Sequence, residues 1–212
     1  VSVWAIVVAA GRGSRFGGPK QYEPLAGRRV LDWSLEAAAA ACDGVVLVVP
    51  ADRAGDPEPA AAAVVVGADT RSGSVRAGLA VVPPHADVVA VHDAARPLAT
   101  ADLFTAAVAA VRNGADGAVC AVPVTDTVKR LGDGGAVVET LDRRRLVAVQ
   151  TPQAFDAAVL RAAHADGTEA TDDAALVEAA GGKVVVVTGH PHNLKVTNPD
   201  DLVVAAALLE KR

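Results

Sequence analysis

Short, unbroken apolar runs alternate along the chain with longer stretches in which apolar residues recur at helical spacing. The first run, Val3-Trp4-Ala5-Ile6-Val7-Val8-Ala9-Ala10, stops at Gly11 and has no polar alternation, which predicts a strand buried on both faces near the centre of a parallel sheet. A Gly/Arg-rich loop follows from Gly11 to Pro19, then a helix opening on Val30-Leu31-Asp32-Trp33-Ser34-Leu35-Glu36. The alternation continues with strands at Val45 to Val49, Val64 to Val66, Val88 to Val91 and Ala118 to Val122, and helices at Ser74 to Val82 and Leu103 to Val111. Ala51 to Pro59, with its prolines and alternating charges, reads as an exposed loop. Strands and helices in this order predict an α/β fold with a doubly wound, mostly parallel sheet, whose ligands collect at the carboxyl ends of the strands.

Between Pro123 and Gln150 the pattern changes. Thr127 to Arg130 and Ala136 to Thr140 are short β-prone pieces separated by Gly132-Asp133-Gly134-Gly135, a hairpin signature with too few apolar residues to bury a face of its own. Such a hairpin needs something to pack on, and a second subunit is an economical candidate. Helical segments are expected from Phe155 and from Thr171, a strand at Val184 to Val187, an extended piece at Asn193 to Val196, and a last amphipathic helix from Pro199. Neither an internal repeat nor a linker divides the chain, so residues 1–212 read as one domain that includes a β-arm at about 123–150.

Composition narrows the function classes. Lys and Arg total 20 against 25 Asp and Glu, a net charge of −5, so the basic field of a nucleic-acid-polymer binder is missing. The longest apolar runs, such as Leu202 to Leu209, fall far short of the roughly 18 residues of a membrane span. The first apolar run has neither a positive region ahead of it nor a cleavage site after it, so it reads as a strand, and a cytoplasmic protein is expected. Cys42 and Cys120 are lone residues in apolar surroundings, without metal spacing, and read as small buried thiols.

Candidate chemistry begins at Gly11-Arg12-Gly13-Ser14-Arg15-Phe16-Gly17-Gly18-Pro19-Lys20, directly after the first strand, where backbone N–H groups can cradle phosphate. Phe16 stands where a dinucleotide fingerprint needs glycine, and Pro19 where a Walker A loop needs lysine. What is left is a glycine loop with cations at Arg12, Arg15 and Lys20, which suits a triphosphate. In a second segment, Gly67 to Val75, Thr70 or Ser72 is placed to cap a helix. In a third, His92-Asp93-Ala94-Ala95-Arg96-Pro97, a carboxylate stands at the end of a strand. Asp93 is there a candidate Mg²⁺ ligand, because that cation takes one or two carboxylates plus substrate phosphates, or else the internal partner of Arg96. Thr171 with Asp172 and Asp173 makes a helix cap without further function, Lys195 lies in a strand-like segment, and Arg143-Arg144-Arg145 alone reads as a solvated cluster.

Taken together, Ala9-Ala10-Gly11-x-Gly13-x-Arg15 with Pro19-Lys20-Gln21, the Gly67 segment, His92 to Pro97, the arm and Thr151-Pro152-Gln153 resemble, in order, the 2-C-methyl-D-erythritol 4-phosphate cytidylyltransferase family. The resemblance implies a Rossmann-like nucleotidyltransferase fold with a protruding arm, and transfer of the cytidylyl group of CTP to a polyol phosphate with loss of pyrophosphate. It assigns CTP binding to Ala9, Ala10, Gly11, Gly13, Arg15 and Lys20, and cytosine recognition to Ala68, Asp69 and Ser74. It assigns the acceptor to Asp93, Arg96, Thr151, Thr171 and Lys195, with Thr127 and Arg143 reaching across from the arm of a second subunit in a homodimer with exchanged arms. Arg15, Lys20, Arg143 and Lys195 become the catalytic cations, with Mg²⁺ or another divalent cation as cofactor; Asp93 is either its ligand or, with Arg96, the grip on the acceptor's hydroxyls. His92 as a base is disfavoured, since a phosphate monoester near neutral pH already presents an anionic oxygen. The sequence departs from the family at Ala68, where glycine is usual and where a positive φ would strain alanine. A cytidylyltransferase for another polyol phosphate, such as ribitol 5-phosphate, shares the nucleotide loop, and a catalytically silent nucleotide-binding or assembly subunit shares the fold.

Overall fold

The first strand, β1 (Val3–Val8), sends Val3, Ala5 and Val7 into one core and Ile6 into another on the opposite face of the sheet. That two-sided burial is why the run carries no polar alternation. The structure is a computed structural model and describes residues 1–211. After β1 come a two-residue ribbon of β2 (Pro24–Leu25) and β3 (Arg28–Arg29), then α1 (Val30–Ala39), β4 (Gly44–Val49), β5 (Ala63–Val66), α2 (Arg71–Leu79), β6 (Val88–Asp93) and α3 (Ala101–Arg112). The second half runs β7 (Gly117–Pro123), β8 (Lys129–Leu131), β9 (Val137–Thr140), β10 (Val147–Asp156), α4 (Ala157–Ala163), α5 (Asp173–Ala179), β11 (Val184–Thr188) and α6 (Pro199–Leu209).

Seven strands form one sheet in the order β11-β7-β10-β6-β1-β4-β5. Neighbours pair in parallel except at β10, which runs antiparallel between β6 and β7. One face is covered by α1 and α3 through Leu31, Leu35, Leu103 and Phe104, the other by α2, α4 and α5 through Val75, Leu79, Leu160 and Val177. This is the doubly wound, mostly parallel sheet that the alternation predicts. The carboxyl ends of β1 and β6 are adjacent, Val8 being registered with Asp93, which fixes where a ligand can sit.

Three expectations are corrected. The helix expected from Phe155 begins only at Ala157, because Phe155 lies in β10 opposite Val89 and Gly117, and Asp156 accepts from Ala158 and Val159 as the cap. β10 itself is masked in the sequence by Gln150, Thr151, Pro152 and Gln153, and a register shift between Val149 and Gln153 accommodates that interruption. Its polar residues are buried with partners instead of facing water. Asn193 to Val196 is not a strand. Arg96 donates to Asn193 O at 2.7 Å, Asn193 Nδ2 donates to Thr151 O at 2.9 Å, and Val196 N donates to Ala95 O at 2.8 Å, so the segment is tied down by cross-links rather than by a ladder. At α5 the capping side chain is that of Asp172, not Thr171.

The hairpin β8–β9 forms as expected, with Gly134 and Gly135 at positive φ in its turn. Its apolar side chains lie open: Leu131, Val137 and Val138 are 61%, 59% and 61% exposed.

Helix α2 approaches the sheet at Gly78, where an added Cβ would stand 2.7 Å from Ile6 Cγ2 and 3.2 Å from Val48 Cγ2. Gly78→Val therefore pushes the helix off the sheet, and we expect a loss of about 1–3 kcal/mol in chemical denaturation, the usual range for overpacking a core.

Candidate active site

The backbone leaves β1 at Ala9 and turns through the glycine loop, where three consecutive N–H groups, those of Phe16, Gly17 and Gly18, converge on Gly13 O. Gly13 has φ +63°, and a Cβ there would lie 1.8 Å from Gly18 O, so only glycine closes this loop. Gln21, buried just beyond it, donates through Nε2 to Ala9 O at 2.6 Å and Gly11 O at 3.0 Å. That clamp sets the loop against the end of β1.

On the other side stands the segment after β5. Gly67 packs so tightly that a Cβ would meet Ala10 Cβ at 2.4 Å. Thr70 caps α2 by accepting from Gly73 N, and the buried Ser74 hydroxyl accepts from Ala68 N at 3.1 Å and reaches Thr70 O at 2.9 Å. Ser74 thus shapes the loop that carries Ala68 and Asp69. Ala68 is not at positive φ, so alanine in place of the usual glycine carries no backbone strain. Asp69 is exposed and pairs with Arg12 at 2.7 Å across the mouth, a pair too solvated to contribute much stability.

Between these walls lies a cavity of about 270 Å³. Ala9, Ala10, Gly11, Gly13, Arg15 and Lys20 line it from the first loop, Ala68, Asp69 and Ser74 from the second, and Asp93 and Lys195 from its floor. Residues from distant stretches of the chain, Lys20, Asp93 and Lys195 among them, meet in one opening. Asp93 is 9% exposed; its Oδ2 accepts from Lys195 Nζ at 2.6 Å and its Oδ1 from Arg71 Nε at 3.4 Å. Burial alone would raise the Asp93 carboxyl, but Lys195, Arg71 and Arg96 override it and hold the group well below the usual carboxylate range. Burial lowers the Lys20 ammonium, and Lys195 and Arg15 lower it further. Cations crowded this closely favour the arrival of a polyanion.

Other sequence-derived candidates fall outside the cavity. The internal Asp93–Arg96 pair does not form; Arg96 instead donates to the carbonyls of Asn193 and Val149 and so braces the segment that carries Lys195. Thr151 is buried behind the floor, where its Oγ1 accepts from Asp93 N at 3.0 Å and contacts His92 Nδ1 at 3.0 Å. Thr171 is exposed beside α5, and Thr127 and Arg143 are exposed on the arm, Arg143 donating to Thr125 O. Within one chain these three residues do not reach the cavity lining.

Two residues gain importance that the sequence reading does not give them. Gln21 looks like loop filler until its two carbonyl partners are seen. Arg71 lines the cavity from the first turn of α2, a position that the helix dipole makes unfavourable for a cation. That misplacement was the available signal: an arginine there needs carboxylates nearby, and it has Asp93 and Asp173.

The model of the family described as 2-C-methyl-D-erythritol 4-phosphate cytidylyltransferase matches residues 3–211. The protein of that name from Streptomyces coelicolor is 46% identical over 98% of this chain and 85% of its own, and the one from Saccharopolyspora erythraea is 44% identical over 99% and 100%. Among solved structures, the enzyme of the same name from Thermus thermophilus superposes with a TM-score of 0.83 at 35% identity, covering 97% of this chain and 98% of its own. The 4-diphosphocytidyl-2C-methyl-D-erythritol synthase of Anaerococcus prevotii superposes with a TM-score of 0.85 at 30% identity, over 99% and 98%.

The floor of the cavity has its own acid signature. His92 is fully buried, and desolvation lowers its imidazole to about 4 from its ordinary 6.5. The unfolded chain therefore binds the proton first as pH falls, and the stability that His92 contributes is whole above pH 6.5 and lost progressively toward pH 4. Urea unfolding at pH 7 and at pH 4 should show the parent losing roughly 3 kcal/mol more than His92→Gln.

Proposed function

The chain belongs to the 2-C-methyl-D-erythritol 4-phosphate cytidylyltransferase family, and we propose from that premise how its side chains divide the work. The reaction joins CTP to 2-C-methyl-D-erythritol 4-phosphate and yields 4-diphosphocytidyl-2-C-methyl-D-erythritol and pyrophosphate, a step of isoprenoid biosynthesis. An oxygen of the acceptor's phosphate attacks the α-phosphorus of CTP in line. One P–O bond forms as the bond to the β-phosphate oxygen breaks, and pyrophosphate departs without a covalent enzyme intermediate.

The observation that carries this division is the convergence of Arg15, Lys20 and Lys195 with Asp93 on one opening at the carboxyl ends of β1 and β6. The glycine loop and its flanking backbone receive the triphosphate, while Ala68, Asp69 and the Ser74-braced loop face the cytosine. Arg15 and Lys20 meet charge that grows on the α-phosphate and the leaving group, where a donor already in place stabilises the transition state more than the ground state. Lys195 aligns the acceptor's phosphate, and Asp93, with Thr151 behind it and Arg96 bracing the Lys195 segment, belongs to the acceptor side, to which Thr171 is assigned from beside α5. The acceptor's phosphate is largely anionic at neutral pH, its second pKa being about 6, so a buried neutral His92 has no proton to remove.

Mg²⁺, or another divalent cation, is part of the proposal. Asp93 is a buried, ionised oxygen donor of the kind such a cation uses alongside substrate phosphates, and the metal would offset their negative charge. A homodimer is also part of it. The bare apolar face of β8–β9 supports an arm that packs on a second subunit, where Thr127 and Arg143 would complete the acceptor site. A cytoplasmic location is part of the same reading, and no helix among the described residues is long and apolar enough to cross a membrane.

Pyrophosphate release from CTP should require 2-C-methyl-D-erythritol 4-phosphate and a divalent cation, and be much slower with ribitol 5-phosphate; release that ignores the acceptor would refute the reading. Lys20→Ala should lower kcat by about 10²- to 10³-fold, the loss typical of removing a pre-aimed transition-state donor. Mixing Lys20→Ala with Arg143→Ala subunits should regenerate part of the activity, since a heterodimer with exchanged arms contains one intact site. Demonstrated heterodimers without rescue would exclude a shared site.

A further inference from the structure

Behind the cavity, the carboxylate of Asp173 is completely buried at the start of α5. It does not cap its helix; Asp172 does that. A buried carboxylate is costly unless both oxygens are paired, and here both are. Oδ2 accepts from the Arg71 guanidinium at 2.7 Å, and Oδ1 meets His164 Nε2 at 3.0 Å. His164 is itself only 3% exposed and lies at the end of α4, on the face of α2 away from the cavity. From there the contacts run forward: Arg71 Nε reaches Asp93 Oδ1 at 3.4 Å, and Asp93 Oδ2 holds Lys195 at 2.6 Å.

The two distances from Arg71 are unequal, and the inequality has a physical meaning. The guanidinium is bound short to Asp173 and long to Asp93, so Asp173 holds the arginine back. Released from Asp173, a half-buried guanidinium facing one remaining carboxylate would close on Asp93 in the two-point geometry that arginine favours. Asp93 would then give a lone pair on each oxygen to Arg71, which would compete with Lys195 and with a substrate for the carboxylate.

We propose that His164 and Asp173 are positioning residues for the reaction assigned above: through Arg71 they keep the Asp93 carboxylate only partly engaged, and so available on the acceptor side of the cavity. The inference rests on that assignment for its activity readout. Its geometry stands apart from it. His164 does not touch the cavity lining and acts only through Asp173 and Arg71.

Substitutions at three positions, 164, 173 and 71, test this. His164→Leu fills the space but leaves Asp173 Oδ1 unpaired; His164→Gln keeps an N–H donor for it; Asp173→Asn keeps the shape and removes the charge that restrains Arg71. Against wild-type turnover in the pyrophosphate assay, His164→Leu and Asp173→Asn should lower kcat/KM for the polyol phosphate about 10-fold, with KM for CTP changed less than 2-fold and His164→Gln within about 2-fold of the parent. Added to Arg71→Met, His164→Leu should cost nothing further, because residues acting along one chain of contacts are not additive. Equal losses in the Leu and Gln variants, or full additivity with Arg71→Met, would overturn the proposal. If His164→Leu unfolds, Asp173→Asn alone decides by the same acceptor-specific loss. An inactive wild-type enzyme would instead sink the assigned reaction, and a crystal structure of Asp173→Asn would then judge the positioning: Arg71 closed on Asp93 supports it, and Arg71 still extended toward residue 173 refutes it.

Discussion

One buried carboxylate, that of Asp93, holds the side chains at the cavity floor together. Asp93 ends β6 where a parallel sheet presents its ligand-binding edge, and desolvation there would neutralise it were there no cations nearby. The cations that keep it charged come from α2 and from the segment after β11, at Arg71 and Lys195. Ionising one side chain therefore requires three separate parts of the chain to arrive together. The same requirement explains why Arg96 and Asn193 are spent on backbone carbonyls: they hold the Lys195 segment, which has no strand ladder of its own, within reach.

The architecture was legible because its elements obey simple periodicities. Unbroken runs such as Val45 to Val49 are buried on both faces of a parallel sheet, and nothing local contradicts that reading. β10 was not legible, because its middle is Gln150-Thr151-Pro152-Gln153, four residues that a local pattern treats as a loop and that only tertiary partners make into an interior strand. Much of the site was visible for a different reason: glycines that no other residue can replace, as at Gly13, and a carboxylate at a strand end leave a fixed imprint on the sequence. Arg71 and Asp173 were harder to see: a cation at the start of α2 calls for a carboxylate, but nothing local says that the carboxylate is Asp173, 102 positions away.

Nor does the cavity bring all of the candidates together. Thr127 and Arg143 stand on the arm, away from Lys20 and Lys195, whereas Thr151 lies beneath the floor and works on Asp93 from behind. Periodicity cannot tell a residue that faces a ligand from one that holds such a residue in place, because both are polar groups in the same neighbourhood. Burial and hydrogen-bond partners make that separation here, and they move Ser74 and Thr151 toward support and leave Arg15, Lys20 and Lys195 facing the opening.

The uncovered hairpin carries a risk as well as an opportunity. Val137, Val138 and Leu131 form a sticky ribbon whose unpaired backbone edge offers itself to any stray strand while the chain is being made. Charges interleaved along it, with Arg130 and Glu139 paired at 3.3 Å and Lys129 and the three arginines from Arg143 to Arg145 close by, act as gatekeepers. They leave the ribbon adhesive only to a surface whose shape and charge both match, which is how an element unable to stabilise itself can remain exposed without condemning the newly synthesised protein to aggregate.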